Sequence, residues 1–263
     1  MNPHSPDELR RTAQQLGLFG LLREWERYGE KPWIQELVEI EKQERSRRGL
    51  ERRLRQAKLG AMKPMADFDW GWPKEIDREH VEDCLALRFL EEKANVVLVG
   101  PNGIGKTMIA QNIGYAAVLR GISVLRISAS EMLSDLARQE TSSALQRRIR
   151  HYAQPGVLLL DEVGYLAYDL RAGDLLFEVV SRRHQSRPIV LTTNRIFSDW
   201  NEVFPNSSCA TALVDRLVHK AEIVHIDGES YRKHEAEERN RRLAAERNER
   251  KAARAKKRAG ASR

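Results

Sequence analysis

Cysteine is nearly missing: Cys84 and Cys209 are the only two in 263 residues. Neither has a neighbour at metal-ligand spacing, which argues against a disulfide scaffold and against a zinc site. The seven histidines form no close pair either. No apolar run approaches the roughly 18 residues of a membrane-crossing helix, and the polar start Met1-Asn2-Pro3-His4-Ser5 does not read as a signal peptide. A cytoplasmic location and no membrane partner are therefore expected. No fixed-period repeat is present, which excludes a solenoid. What is there, 41% hydrophobic residues, suffices for one large or two small globular domains.

Charge is unevenly placed. Residues 233–263 carry 12 Lys/Arg against 5 Asp/Glu, which accounts for the whole net charge of +7. A second cluster lies in residues 41–58, where Lys42, Arg45, Arg47, Arg48, Arg52, Arg53, Arg55 and Lys58 outnumber Glu41, Glu44 and Glu51. Two basic arms flank a neutral middle, a pattern that fits polyanion binding through counterion release. The alternative is a solvated helix face and a disordered tail.

Three regions are expected. In residues 1–66, Leu9, Ala13, Leu16, Phe19, Leu22 and Trp25 recur at helical spacing, Gly29 and Pro32 interrupt, and Ile34, Leu37, Val38 and Ile40 start a second helical face. This predicts a small helical domain. Residues 62–73 lack periodicity and read as a linker pinned by Phe68, Trp70 and Trp72. From there to 232, strand-like runs at 94–99, 122–127, 157–160, 189–193 and 223–226 alternate with helical segments. The fold class is α/β, with a five-stranded parallel sheet flanked by helices. Residues 233–263 are a charged tail.

Gly100-Pro101-Asn102-Gly103-Ile104-Gly105-Lys106-Thr107 fits the phosphate-loop pattern, after an apolar strand and before an apolar helix. Glycines let successive N–H groups turn toward phosphate oxygens, Lys106 reaches the outer phosphates, and Thr107 would ligate Mg2+. The nucleotide expected is a triphosphate, ATP. Val157–Leu160 delivers Asp161 and Glu162 at a strand end, where ligands bind in open α/β sheets. Asp161 is placed to hold the magnesium through water, and Glu162 to orient and activate the attacking water. Asn194 ends another strand and would hold that water, or else simply form a turn. Arg216, beside Asp215, reads either as an arginine finger for a neighbouring subunit's nucleotide or as a surface ion pair.

Together these motifs resemble the AAA+ ATPases, and among them the IstB-like transposition helper proteins, relatives of the helicase loader DnaC. The likeness spans roughly residues 8–232 and is most specific at Asp161 to Leu166 and at Gly228-Glu229-Ser230-Tyr231-Arg232. The resemblance implies an AAA+ core over 67–232, with Asn194 as first sensor, Arg216 as the finger and Arg232 as a second sensor. It also implies a homo-oligomer with shared active sites, assembled on double-stranded DNA with weak sequence preference, and an IstA-like transposase as partner. Arg45 to Lys58 with Arg147, Arg148 and Arg150 are the candidate phosphate contacts. The alternative within this resemblance is a DnaC-like replicative helicase loader.

Overall fold

The computed structural model describes residues 5–165, 168–204 and 207–260, with no side-chain placement for Ser207 or residues 248–260. Leu166 of the motif above, and residues 261–263 of the tail, lie outside the described residues. The chain divides into two units, Met1–Gln56 and Ala57–Arg263.

In the first unit Ser5 caps α1 (Pro6–Gln15) by accepting the Glu8 N–H at 3.3 Å, with Pro6 at the first helical position. The sequence pattern predicts one helix to Arg27. Gly17, at φ +66°, turns the chain instead, and α2 (Phe19–Arg23) and α3 (Trp25–Tyr28) follow as short pieces. The long α4 (Pro32–Ala57) then buries Ile34 and Val38 against Leu9, Ala13 and Leu16. That cluster is the unit's core.

The second unit begins ten residues before the boundary expected at 67. Two buried amides of this unit hold the segment after Ala57: Gln111 Nε2 donates to the Leu59 carbonyl at 2.5 Å and Asn112 Nδ2 to the Lys63 carbonyl at 2.9 Å. Backbone carbonyls tied to buried amides belong with the body that buries them.

The elements of this unit run β1 (Glu75–Ile76), α5 (Arg78–Leu85), α6 (Phe89–Glu92), β2 (Asn95–Val99), α7 (Lys106–Leu119), β3 (Val124–Ser128), α8 (Ala129–Ala137), α9 (Ser142–Ala153), β4 (Val157–Val163), α10 (Leu170–Arg183), β5 (Ile189–Thr193), α11 (Trp200–Val203), α12 (Ser207–Val218), β6 (Ala221–Asp227) and α13 (Tyr231–Gly260). Their strands form one sheet in the order β1-β6-β2-β5-β4-β3. The five expected strands are all present and parallel. The sheet has a sixth, because β1 adds antiparallel to β6 at one edge. A two-residue strand carries no periodicity, so no sequence pattern announces it. β2 and β5 are buried along their whole length, as a parallel sheet covered on both faces requires.

One buried charge is structural. Arg183 is 1% exposed, and its guanidinium donates to the carbonyls of Tyr152, Ala153, Pro155 and Pro188 at 2.8–3.1 Å. It satisfies the carbonyls at the end of α9 and joins them to the start of β5. Burial pulls its pKa down to about 9, which leaves it charged at neutral pH.

Candidate active site

The loop between β2 and α7 is shaped by close neighbours. Gly103 and Gly105 have φ of +80° and +104°. A Cβ on Gly103 would clash with the Ser230 hydroxyl, and one on Gly105 would meet the Phe68 ring at 2.6 Å. Positive φ and lack of room both demand glycine at these two positions. The Tyr231 N–H donates to the Gly103 carbonyl at 3.0 Å, so the Gly228-to-Arg232 segment clasps the loop. Trp72 completes the clasp: its indole N–H donates to the Glu229 carbonyl at 2.9 Å and its ring stacks on His234 at 4.1 Å. The linker is pinned by its aromatics as expected, with Phe68 against Trp70 at 4.8 Å.

A cleft of about 460 Å³ opens beside the loop, lined by Lys106, Thr107, Arg126, Glu162, Thr192 and Arg232, with Phe68, Trp72 and Tyr231. Lys106 is buried, and its ammonium donates to the carbonyls of Gly100 at 2.6 Å and Pro101 at 2.7 Å. Burial lowers its pKa to about 8. Thr107 Oγ1 donates to Asp161 Oδ1 at 3.1 Å, across from α7 to β4. Asp161 is 5% exposed and also pairs through Oδ2 with Arg126 Nη2 at 2.6 Å. Glu162 is exposed into the cleft with φ +61°, where β4 bulges against β5. Bulges commonly re-aim a side chain at a functional site.

Thr107 and Asp161 fit a magnesium ion. They supply hard oxygen ligands, and among the described residues no group of three His, Cys, Asp or Glu side chains would hold a metal unaided. Magnesium keeps several waters and relies on one or two carboxylates plus substrate phosphates, which matches so sparse a donor set.

The remaining predicted residues are dispersed. Asn194 lines a neighbouring cavity with Gly100, Pro101 and Asn102, and its buried Oδ1 has no hydrogen-bond partner among the described residues. Asn102 itself accepts from the Tyr165 hydroxyl. Ile104 is buried beneath the loop. Arg232 lines the cleft and is an electrostatic neighbour of Lys106. Arg216, on α12, lines neither cavity: its guanidinium lies 4.2 Å from the Phe177 ring and donates to the Ser181 hydroxyl. Asp215 is not the partner that holds it.

The candidate phosphate-binding cations differ in availability. Arg45, Arg47 and Arg48 pair along α4 with Glu41, Glu44 and Glu51, all at the surface. Arg52, Arg53, Arg55 and Lys58 follow in the same stretch. Arg148 is held by Asp135, which also accepts from the Tyr152 hydroxyl at 2.5 Å. Arg147 and Arg150, one helical turn apart on α9, are exposed. No helix among the described residues is long and apolar enough to cross a membrane.

Sequence reasoning missed Arg126 and Thr192. A charge inside the run Val124-Leu125-Arg126-Ile127, and the hydroxyl pair Thr192-Thr193 that follows the apolar Ile189-Val190-Leu191, were the available signals.

A family model described as IstB-like ATP binding protein matches residues 13–239. The ATP-binding protein named for insertion sequence IS5376 of Geobacillus stearothermophilus is 36% identical over 199 residues, 76% of this chain and 79% of that protein. The one named for insertion sequence IS21 of Pseudomonas aeruginosa is 38% identical over 188 residues, 72% of this chain and 71% of that protein. A solved structure of DnaI aligns over 65% of this chain and 90% of its own, with 20% identity and a TM-score of 0.53, a likeness of fold.

Proposed function

The chain belongs to the IstB-like ATP-binding proteins, and from that premise we propose that it is a magnesium-dependent ATPase of insertion-sequence transposition, which assembles on double-stranded DNA and recruits or stimulates a transposase. The observation that carries the ATPase reading is the convergence of Lys106 and Thr107, from the start of α7, and Glu162, from the end of β4, on one cleft, with Asp161 of β4 hydrogen-bonded to Thr107 at its edge. The names of the relatives, all taken from insertion sequences, favour transposition over helicase loading.

The phosphates of ATP would lie against the N–H groups of the loop and the N-terminus of α7. The Lys106 ammonium would exchange two backbone carbonyls for phosphate oxygens, and Arg232 would add a second cation on the same cleft. Thr107 and Asp161 would hold magnesium, which neutralises phosphate charge when bound. Glu162 would orient a water and accept its proton as the water oxygen bonds to the terminal phosphorus. The bond from that phosphorus to the bridging oxygen then breaks, leaving ADP and phosphate. The Asn194 amide oxygen, beside the loop, has no hydrogen-bond partner among the described residues, and Asn194 would hold the attacking water. Arg216, outside its own cleft, would serve a neighbouring subunit, which makes assembly and hydrolysis interdependent.

The test is phosphate release from Mg·ATP by the full chain, with and without linear duplex DNA. DNA-stimulated release that Glu162→Gln abolishes, while nucleotide and DNA still bind, is the expected result. Equal turnover by Glu162→Gln, or none by the parent protein on DNA, overturns the hydrolysis reading. Co-purification with an IstA-like transposase tests the partner.

A further inference from the structure

β4 and β5 pair in register up to Leu160 and Leu191, and again at Val163 and Thr193. Between these points two residues, Asp161 and Glu162, face the single residue Thr192. Thr192 is 2% exposed, and its hydroxyl is bonded to both of them. It accepts the Glu162 backbone N–H at 2.9 Å and donates to Asp161 Oδ1 at 2.5 Å.

A hydroxyl has one proton and two lone pairs, so the two bonds use different parts of it and hold together. The bulge takes Glu162 N–H out of the regular ladder, and a buried donor without a partner is costly. Thr192 Oγ1 supplies that partner. Glu162 at the same time adopts φ +61°, a conformation few non-glycine residues keep without support. Its neighbour Thr193 has another task, since its hydroxyl accepts the Arg195 N–H at 3.1 Å and shapes the turn after Asn194.

We infer that Thr192 is a positioning residue for both carboxylates: its hydroxyl fixes the direction in which Glu162 enters the cleft and the orientation of the Asp161 carboxylate beside Thr107. This rests on the roles given above to Asp161 and Glu162. It adds a physical link from β5, the strand that ends at Asn194, to the two acids on β4. Valine has the shape of threonine without the hydroxyl, and serine has the hydroxyl without the methyl group.

Two measurements on the full chain test it. In the first, Thr192→Val lowers kcat for ATP hydrolysis about tenfold or more with KM changed little, as losing an outer partner of a metal-site carboxylate typically does. In the second, which needs no turnover, Trp fluorescence follows binding of a non-hydrolysable ATP analogue during a magnesium titration. Thr192→Val should need about tenfold more magnesium for half-saturation, with magnesium-free nucleotide binding unchanged. Thr192→Ser should restore both values. Parental behaviour of Thr192→Val in the magnesium titration overturns the inference, and so does a loss in Thr192→Val that Thr192→Ser shares. Should the parent protein hydrolyse no ATP, the ATPase reading fails while the magnesium titration still decides the role of Thr192.

Discussion

Arg126 Nη2 lies 2.6 Å from Asp161 Oδ2, so the carboxylate expected to serve magnesium is neutralised by a guanidinium of the adjacent strand. Asp161 Oδ1 accepts from Thr107 and Thr192 as well. Three of the roughly four acceptor positions of this 5%-exposed carboxylate are therefore engaged by the protein itself, both on Oδ1 and one on Oδ2.

Arg126→Met should accordingly lower the magnesium concentration that half-saturates binding of a non-hydrolysable ATP analogue, by about tenfold, since a like charge beside a cation site opposes occupancy. The shift is opposite to that expected of Thr192→Val. A magnesium titration followed by Trp fluorescence reads it. An unchanged midpoint would make the Arg126 pair a purely structural contact.

Lys106 makes nucleotide binding depend on pH. Burial lowers its pKa from the 10.5 of a free lysine to about 8, and bound phosphates would raise it again. Below pH 8 the ammonium already holds its proton, and binding takes up none. Above pH 8 binding takes up as much as one proton, so affinity should fall by up to about tenfold per pH unit. For stability the sign is reversed. Between about pH 8 and 10.5 the unfolded chain holds the extra proton, so the penalty for burying the ammonium is full below pH 8 and relieved as pH rises through that window. Dissociation constants of the ATP analogue between pH 7 and 9.5, with proton uptake read by calorimetry in two buffers, check this. A flat affinity would place Lys106 outside the phosphate contacts.

The sequence discloses those parts of the site that use patterns along the chain. β2 and β5 are built around the apolar runs Val96–Val99 and Ile189–Leu191, and the phosphate loop is a fixed spacing between a strand and a helix, so both can be read directly. The bulge at Asp161 and Glu162 cannot, because it exists only in the register of β4 against β5. Arg183 is equally hidden: Arg182-Arg183-His184-Gln185 reads as polar surface, yet Arg183 is buried among carbonyls from two segments, the end of α9 and the residue before β5. The helical segment before β2 is likewise divided, because Leu87 takes φ +63° between α5 and α6. Residues whose role depends on another strand leave little trace in their own neighbourhood.

The three arginines of α9 should behave differently on DNA. Arg147 and Arg150 are exposed, so changing both to Gln should reduce the slope of log affinity against log salt by about 2, near 0.9 for each lost phosphate contact on duplex DNA. Arg148 is committed to Asp135. Arg148→Gln should instead lower thermal stability and leave the salt slope close to the parent value. Fluorescence-anisotropy titrations at several salt concentrations, with thermal melts of each variant, separate these outcomes. A steep slope surviving in the double variant would remove α9 from the DNA-binding surface.

Arg216 offers the sharpest test of shared active sites. It lines neither cavity beside its own phosphate loop, and its guanidinium is preorganised by Phe177 and Ser181 on α10. If it acts in its own chain, an Arg216→Ala protein and a Lys106→Ala protein are both inactive alone and remain so when mixed. If it acts on a neighbour, some interfaces in the mixture pair an intact Lys106 with an intact Arg216 from the other parent. Random mixing at equal amounts makes about a quarter of interfaces intact in both respects, so DNA-stimulated hydrolysis should recover to roughly that fraction of the parent rate, before any coupling between sites. Phosphate release across a range of mixing ratios should peak near equality. A mixture that stays inactive while sedimentation shows co-assembly would confine the role of Arg216 to its own chain.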